Sequence, residues 1–90
     1  MQQTIQVKVI SPQDVLFVGK ATSVSSKNTS GNFDILAQHA NFITIVENQP
    51  IVIRTQKKEK ISFQFPLAVI YATNNNVSVY AKTEGAISEV

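Results

Sequence analysis

Ninety residues with 43% apolar and 16% charged content suit one small domain with one core, and a chain this short buries only about two-thirds of its unfolded surface. A net charge of +2 is too small for a nucleic-acid footprint, and the absence of cysteine excludes a disulfide framework and thiolate metal sites. No apolar run approaches the roughly 20 residues of a membrane-spanning helix, and Met1-Gln2-Gln3-Thr4 lacks the basic segment and apolar core of a secretory signal, so a soluble cytoplasmic protein is expected.

Along the chain, Ile5, Val7 and Val9 alternate with Gln6 and Lys8, a period of two that puts one strand face in a core and the other in water. Ser11-Pro12-Gln13-Asp14 joins a hydroxyl able to bond its own backbone to a proline of preset φ, which predicts a β-turn. Lys27-Asn28-Thr29-Ser30-Gly31 is a polar run ending in the residue that best tolerates positive φ. Phe33, Ile35 and Leu36 then form a short apolar strand, a polar elbow holds His39, the only histidine, and a second apolar run begins.

Three more breaks follow, at Asn48-Gln49-Pro50, Gln56-Lys57-Lys58-Glu59 and Asn74-Asn75-Asn76. Between and after them Ile51 and Ile53, then Ile61, Phe63 and Phe65, then Val77 and Val79 occupy alternate positions. The expected fold is all-β, a small antiparallel β-sandwich of about eight to ten short strands. The sandwich is expected over residues 1–82, with 83–90 as a C-terminal tail; Glu84, Ala86, Ile87 and Glu89 suit the start of a helix that is too short to stand unaided.

The residues offer little for chemistry. His39 has no neighbouring cysteine and no second imidazole, so a transition-metal site needs carboxylates from several loops. Asp14, Asp34, Glu47, Glu59, Glu84 and Glu89 are dispersed, without a context that would set an acid against a base. No serine sits in a nucleophile elbow, and Gly19, Gly31 and Gly85 are too scattered for a phosphate loop. No catalytic, cofactor-binding or metal-ligating residue is expected, and a small hydrolase ranks last among the functions considered. Lys57-Lys58-Glu59-Lys60 reads as a solvated hairpin tip whose lysines discourage edge pairing. The rival reading is an OB-like nucleic-acid surface, with Phe17, Phe33, Phe42, Phe63, Phe65, Tyr71 and Tyr80 as stacking platforms, but most of these fall at alternating apolar positions that suit core packing.

One stretch is more specific than its physics requires. Gly31-Asn32-Phe33-Asp34-Ile35-Leu36-Ala37-Gln38-His39-Ala40-Asn41-Phe42-Ile43-Thr44 resembles the Gly-Glu-(Phe/Leu)-Gly-(Ile/Val)-Leu-Pro-Gly-His-Ala-Pro-(Leu/Ile)-(Leu/Ile)-Thr signature of the N-terminal β-domain of the ATP synthase epsilon subunit. Upstream, Val9 to Gly19, with Ser11-Pro12 and Phe17-Val18-Gly19, is similar to that family's first hairpin. Downstream, Asn76-Val77-Ser78-Val79-Tyr80-Ala81-Lys82-Thr83-Glu84 is similar to its closing strand.

The resemblance implies a non-catalytic central-stalk domain of a proton- or sodium-translocating F-type ATP synthase. Such a domain packs on the gamma subunit and the c-ring, peripheral to the membrane through the complex, needs no cofactor, and is a monomer when isolated. It also implies that Ser30, Gly31, Asn32, Phe33 and Asp34, with the elbow Gln38, His39, Ala40 and Asn41, face the c-ring, and that apolar strand residues on one face contact gamma. The family's C-terminal helices, which bear its inhibitory and ATP-binding functions, have no counterpart in these residues.

Three departures from the pattern matter. Asn32 replaces an acidic residue, and Ala37-Gln38 replaces Pro-Gly, which predicts a different elbow shape. Gln64-Phe65-Pro66 replaces Ser-Gly-Gly, which implies local repacking and a sheet edge or bulge at Pro66. A divergent β-sandwich module that kept the fold and took another partner is the alternative reading.

Overall fold

The computed structural model describes residues 4–38 and 41–82; the expected tail, 83–90, and His39 and Ala40 lie outside the described residues. Eight strands follow one another in the chain: β1 (Ile5–Ile10), β2 (Val15–Asn28), β3 (Gly31–Leu36), β4 (Phe42–Val46), β5 (Pro50–Thr55), β6 (Lys60–Gln64), β7 (Leu67–Thr73) and β8 (Asn76–Lys82). They hydrogen-bond in the order β4-β7-β8-β1-β2-β5-β6, with β3 also on β2.

The sheet curls because β2 belongs to both layers. At 14 residues it exceeds the usual 3–10 of a strand, and its two halves have different neighbours. The first half pairs with β1, from Val15↔Ile10 to Ala21↔Ile5. The second half takes β3 on the same side, from Ser23↔Leu36 to Asn28↔Gly31, and β5 on the other, from Ala21↔Thr55 to Ser25↔Val52. Two register shifts bend it. Leu16 is extra where Phe17↔Val9 is followed by Val15↔Ile10, and Thr22 is extra between Ala21↔Thr55 and Ser23↔Arg54. Such bulges raise the local twist, and the Thr22 hydroxyl, turned by its bulge, donates to the Arg54 carbonyl at 3.1 Å.

One layer is therefore β4-β7-β8-β1 with the first half of β2, and the other is β3, the second half of β2, β5 and β6. The expected antiparallel pairing holds except at one place, where β1 and β8 run parallel from Gln6↔Asn76 to Ile10↔Tyr80. A parallel neighbour needs a long crossover, and here the whole of β2–β7 supplies it.

The alternating residues meet between the layers. Ile5, Val7, Val9, Ile51, Ile53, Val77 and Val79 are all buried, joined by Val24, Ile35, Val46 and Ile70. All five phenylalanines (Phe17, Phe33, Phe42, Phe63 and Phe65) pack partly buried against that core, which removes them as nucleic-acid stacking platforms. Phe17 lies over Gly19, where a Cβ would sit 3.1 Å from the ring; this is the packing reason for the Phe-x-Gly strand end.

The turn residues act as their chemistry requires. The Ser11 N–H donates to the Asp14 carbonyl at 2.8 Å and the Asp14 N–H to the Ser11 hydroxyl at 3.2 Å. Asn74 and Asn75, with φ of 50° and 63°, form the two-residue loop of the β7–β8 hairpin, where asparagine tolerates the left-handed region. Phe65, at a position where the epsilon signature has a small residue, stacks its ring on Phe63 at 5.8 Å. Pro66, expected at a sheet edge or bulge, instead occupies the bend between β6 and β7, where no ladder donor is lost.

Ile70 is fully buried at the centre of β7, so Ile70→Ala is expected to lower the free energy of unfolding by about 2–5 kcal/mol. Ser62→Ala, at an exposed outward position of β6, should change it by less than about 0.5 kcal/mol. Urea unfolding followed by circular dichroism reads both.

Candidate functional site

The two outer faces of the sandwich differ in chemistry. Side chains of directly paired residues lie on the same face of a sheet, so the registers lay out rows across the first layer. Ile45 faces Val69, Val69 faces Tyr80, Tyr80 faces Ile10 and Ile10 faces Val15. Beside that row runs Ile43, Tyr71, Ser78, Lys8 and Val18. Ile43 is 66% exposed, Val15 64%, Ile45 and Val18 56%, Tyr80 47% and Tyr71 44%. Five strands at about 4.8 Å spacing make this apolar band roughly 19 Å wide.

The outer face of the second layer is polar. It carries Ser23, Ser25 and Lys27 from β2, Asn32, Asp34 and Leu36 from β3, Val52 and Arg54 from β5, and Lys60, Ser62 and Gln64 from β6. The Ser25 hydroxyl donates to an Asp34 carboxylate oxygen and accepts from the Arg54 guanidinium at 3.0 Å. The three side chains thus satisfy one another at the surface. Among the described residues no three His, Cys, Asp or Glu side chains come together.

The nine positions expected at one contact fall into two groups. Ser30, Gly31, Asn32, Phe33 and Asp34 begin at the β2–β3 turn, where the Ser30 N–H donates to the Asn28 side-chain oxygen at 2.8 Å and Gly31 has a φ of 121°. Phe33 points inward, its ring 5.3 Å from that of Phe42, so it holds the turn rather than presenting a surface. Gln38 and Asn41 are exposed beyond the other end of β3, roughly 20 Å along the strand at about 3.3 Å per residue; His39 and Ala40 lie outside the described residues. The turn and the elbow are two places, not one corner.

Gln38 keeps a left-handed backbone, with φ of 66°, despite lacking the freedom of glycine. Its N–H donates to the side-chain oxygen of Asn75 at 2.6 Å, and the Asn75 carbonyl accepts from the Gln6 N–H at 2.9 Å. Gln38 is therefore tied to the β7–β8 turn, which is itself tied to the start of β1. A non-glycine residue in this region costs about 1–2 kcal/mol, and a hydrogen bond of ordinary strength contributes about 0.5–1.5 kcal/mol, so the tie offsets much of the cost.

The family model for the ATP synthase Delta/Epsilon chain, beta-sandwich domain, matches residues 4–85. The chain belongs to that family. It is 33% identical over 88 residues to the ATP synthase epsilon chain of Endomicrobium trichonymphae, covering 94% of this chain and 61% of that one. To the epsilon chain of Clostridium novyi it is 25% identical over 79 residues, covering 88% and 60%. The chain thus spans about three-fifths of the length of these curated relatives.

The fold is shared with two solved assemblies. A chain of the Euglena gracilis mitochondrial ATP synthase superposes with a TM-score of 0.82 at 8% identity, over 90% of this chain and 52% of that one. A chain of the Tetrahymena thermophila mitochondrial ATP synthase, from its central stalk and c-ring, gives 0.74 at 12% identity, over 90% and 65%.

At the departure Ala37-Gln38, the described part of the elbow has an unusual backbone for glutamine. Gln38 has positive φ, held by a side chain from elsewhere in the fold. The individual residues of the apolar face were not singled out from the sequence, although a signal was there: Phe42-Ile43-Thr44-Ile45-Val46 and Leu67-Ala68-Val69-Ile70-Tyr71 carry apolar residues at both parities, the pattern of strands covered on two faces.

Gln38→Val, which adds a β-branched side chain to a left-handed position, is expected to destabilise the domain by about 1–2 kcal/mol, whereas Gln38→Gly should not destabilise it. Thermal and urea unfolding of the two variants against the parent chain makes the comparison.

Proposed function

We propose that the chain serves as a non-catalytic central-stalk domain of an ATP synthase, peripheral to the membrane through the complex, and packs on the gamma subunit through the apolar outer face of β4-β7-β8-β1-β2. The observation that carries this is the asymmetry of the two outer faces: one bears Ile43, Ile45, Tyr71, Tyr80, Val15 and Val18 exposed, the other is polar. A contiguous apolar patch on a small domain marks a protein contact, and its tyrosines are of the kind that dominate such contacts.

The two ends of β3 then take different partners. The turn at Ser30, Gly31 and Asn32 is polar and held rigid by the Asn28 side chain, which suits a polar loop of the c-ring, and Asp34 lies beside it on the same strand. The elbow leads into β4 and its exposed Ile43, so Gln38 and Asn41 border the gamma face. Membership of the epsilon family and the match of the fold to chains of central-stalk assemblies support the reading. Torque passes through packed surfaces, and the domain contributes no reacting group.

Co-purification of the tagged chain from its own host, read by mass spectrometry, is the test. Gamma and c subunits are expected with the parent chain. The double variant Ile45→Lys with Tyr80→Lys, at positions already exposed, should lose gamma while its melting temperature stays within a few degrees, and Asn32→Ala should weaken retention of c while keeping gamma. Recovery of unrelated partners without synthase subunits overturns the reading and favours a sandwich that took another partner.

A further inference from the structure

From its place in the β7–β8 turn, Asn75 bonds to two separate parts of the sandwich. Its backbone, at φ of 63°, completes the β7–β8 turn, its carbonyl takes the Gln6 N–H at the start of β1 at 2.9 Å, and its side-chain oxygen takes the Gln38 N–H at 2.6 Å. The last bond crosses between the layers, from the hairpin of one to the exit of β3 from the other. It is made to a backbone group whose own residue sits at a φ of 66° that glutamine adopts only when something holds it. Ile5, Ile35, Leu36, Ala72 and Val77 line a small pocket beside it, between the β7–β8 turn and β3.

We infer that Asn75 is a positioning residue for the gamma contact: its carboxamide oxygen fixes the conformation of Gln38, which borders the apolar face. This rests on the reading that this face meets gamma. In a chain with glycine at position 38 the backbone adopts positive φ without help; here the fold supplies from another hairpin the constraint that the local sequence lacks. A residue held in one conformation binds with less loss of conformational entropy than one that must be ordered on contact, so release of the tie at Gln38 is felt as weaker binding even though Asn75 touches no partner.

The test uses Asn75→Gly and Asn75→Asp in the 90-residue chain. Glycine preserves the turn, since Asn-Gly is a preferred pair for a two-residue hairpin loop, and removes the carboxamide; aspartate keeps an acceptor oxygen. Amide hydrogen exchange of Gln38, measured by NMR, reports the tie, and titration with the purified gamma subunit reports its consequence. Asn75→Gly is expected to speed exchange at Gln38 on the order of tenfold and to weaken gamma binding about five- to tenfold, with the melting temperature within a few degrees of the parent. Asn75→Asp should restore both. Unchanged Gln38 exchange in Asn75→Gly overturns the inference, and so does faster exchange with unchanged gamma affinity, which would make the bond merely structural. A parent chain without gamma affinity overturns the rotor reading itself, and this role of Asn75 with it.

Discussion

The structure depends on one long strand being shared by two layers. With 14 residues, β2 gives its first half to β1 and its second to β3 and β5, and the bulges at Leu16 and Thr22 allow it to bend as it passes between them. A curled sheet needs such a corner if the inward faces are to meet without leaving backbone groups unpaired. Once β2 turns, Val24 and Ile35 on one side are brought against Val7, Val79 and Ile70 on the other, all buried. The remaining gap, between β4 and the far end of β2, is crossed by the Asn28 side chain donating to the Thr44 hydroxyl at 2.8 Å and by the paired rings of Phe33 and Phe42. Ser26, buried at the same end, donates to the Pro50 carbonyl at 2.8 Å and so is not left unpaired.

That curvature also decides what the outside looks like. Because the core is filled from one face of each strand, the other face is free to differ between layers. On the β4-β7-β8-β1-β2 side it carries mainly isoleucine, valine and tyrosine, and on the β3-β2-β5-β6 side mainly serine, aspartate, arginine and lysine, with Leu36 and Val52 among them. Burying a valine or isoleucine is worth about 1.5–3 kcal/mol, so an uncovered row of them is a standing driving force for association. The polar face has no comparable drive, its Ser25, Asp34 and Arg54 already bonded to one another.

Much of this was legible in the sequence, for local reasons. Alternation at Ile5, Val7 and Val9, at Ile51 and Ile53, and at Val77 and Val79 located the core face of three strands, and the proline, glycine and asparagine clusters located the turns. What was not legible depends on register between distant segments. Nothing local marks Leu16 or Thr22 as extra residues, and the parallel pairing of β1 with β8 is a property of the closed sheet. The layout of the apolar outer face emerges only when Ile45, Val69, Tyr80 and Ile10 are laid side by side. The positive φ of Gln38 was not legible for the same reason: the residue that holds it there, Asn75, is remote in sequence.

The most direct test of the account is an NMR titration of the methyl-labelled chain with the purified gamma subunit. The account predicts that the methyl signals of Ile43, Ile45, Val15 and Val18 shift or broaden while those of Val52, on the opposite face, stay in place. Perturbation confined to Val52 and its neighbours, or none at saturating gamma, would contradict it.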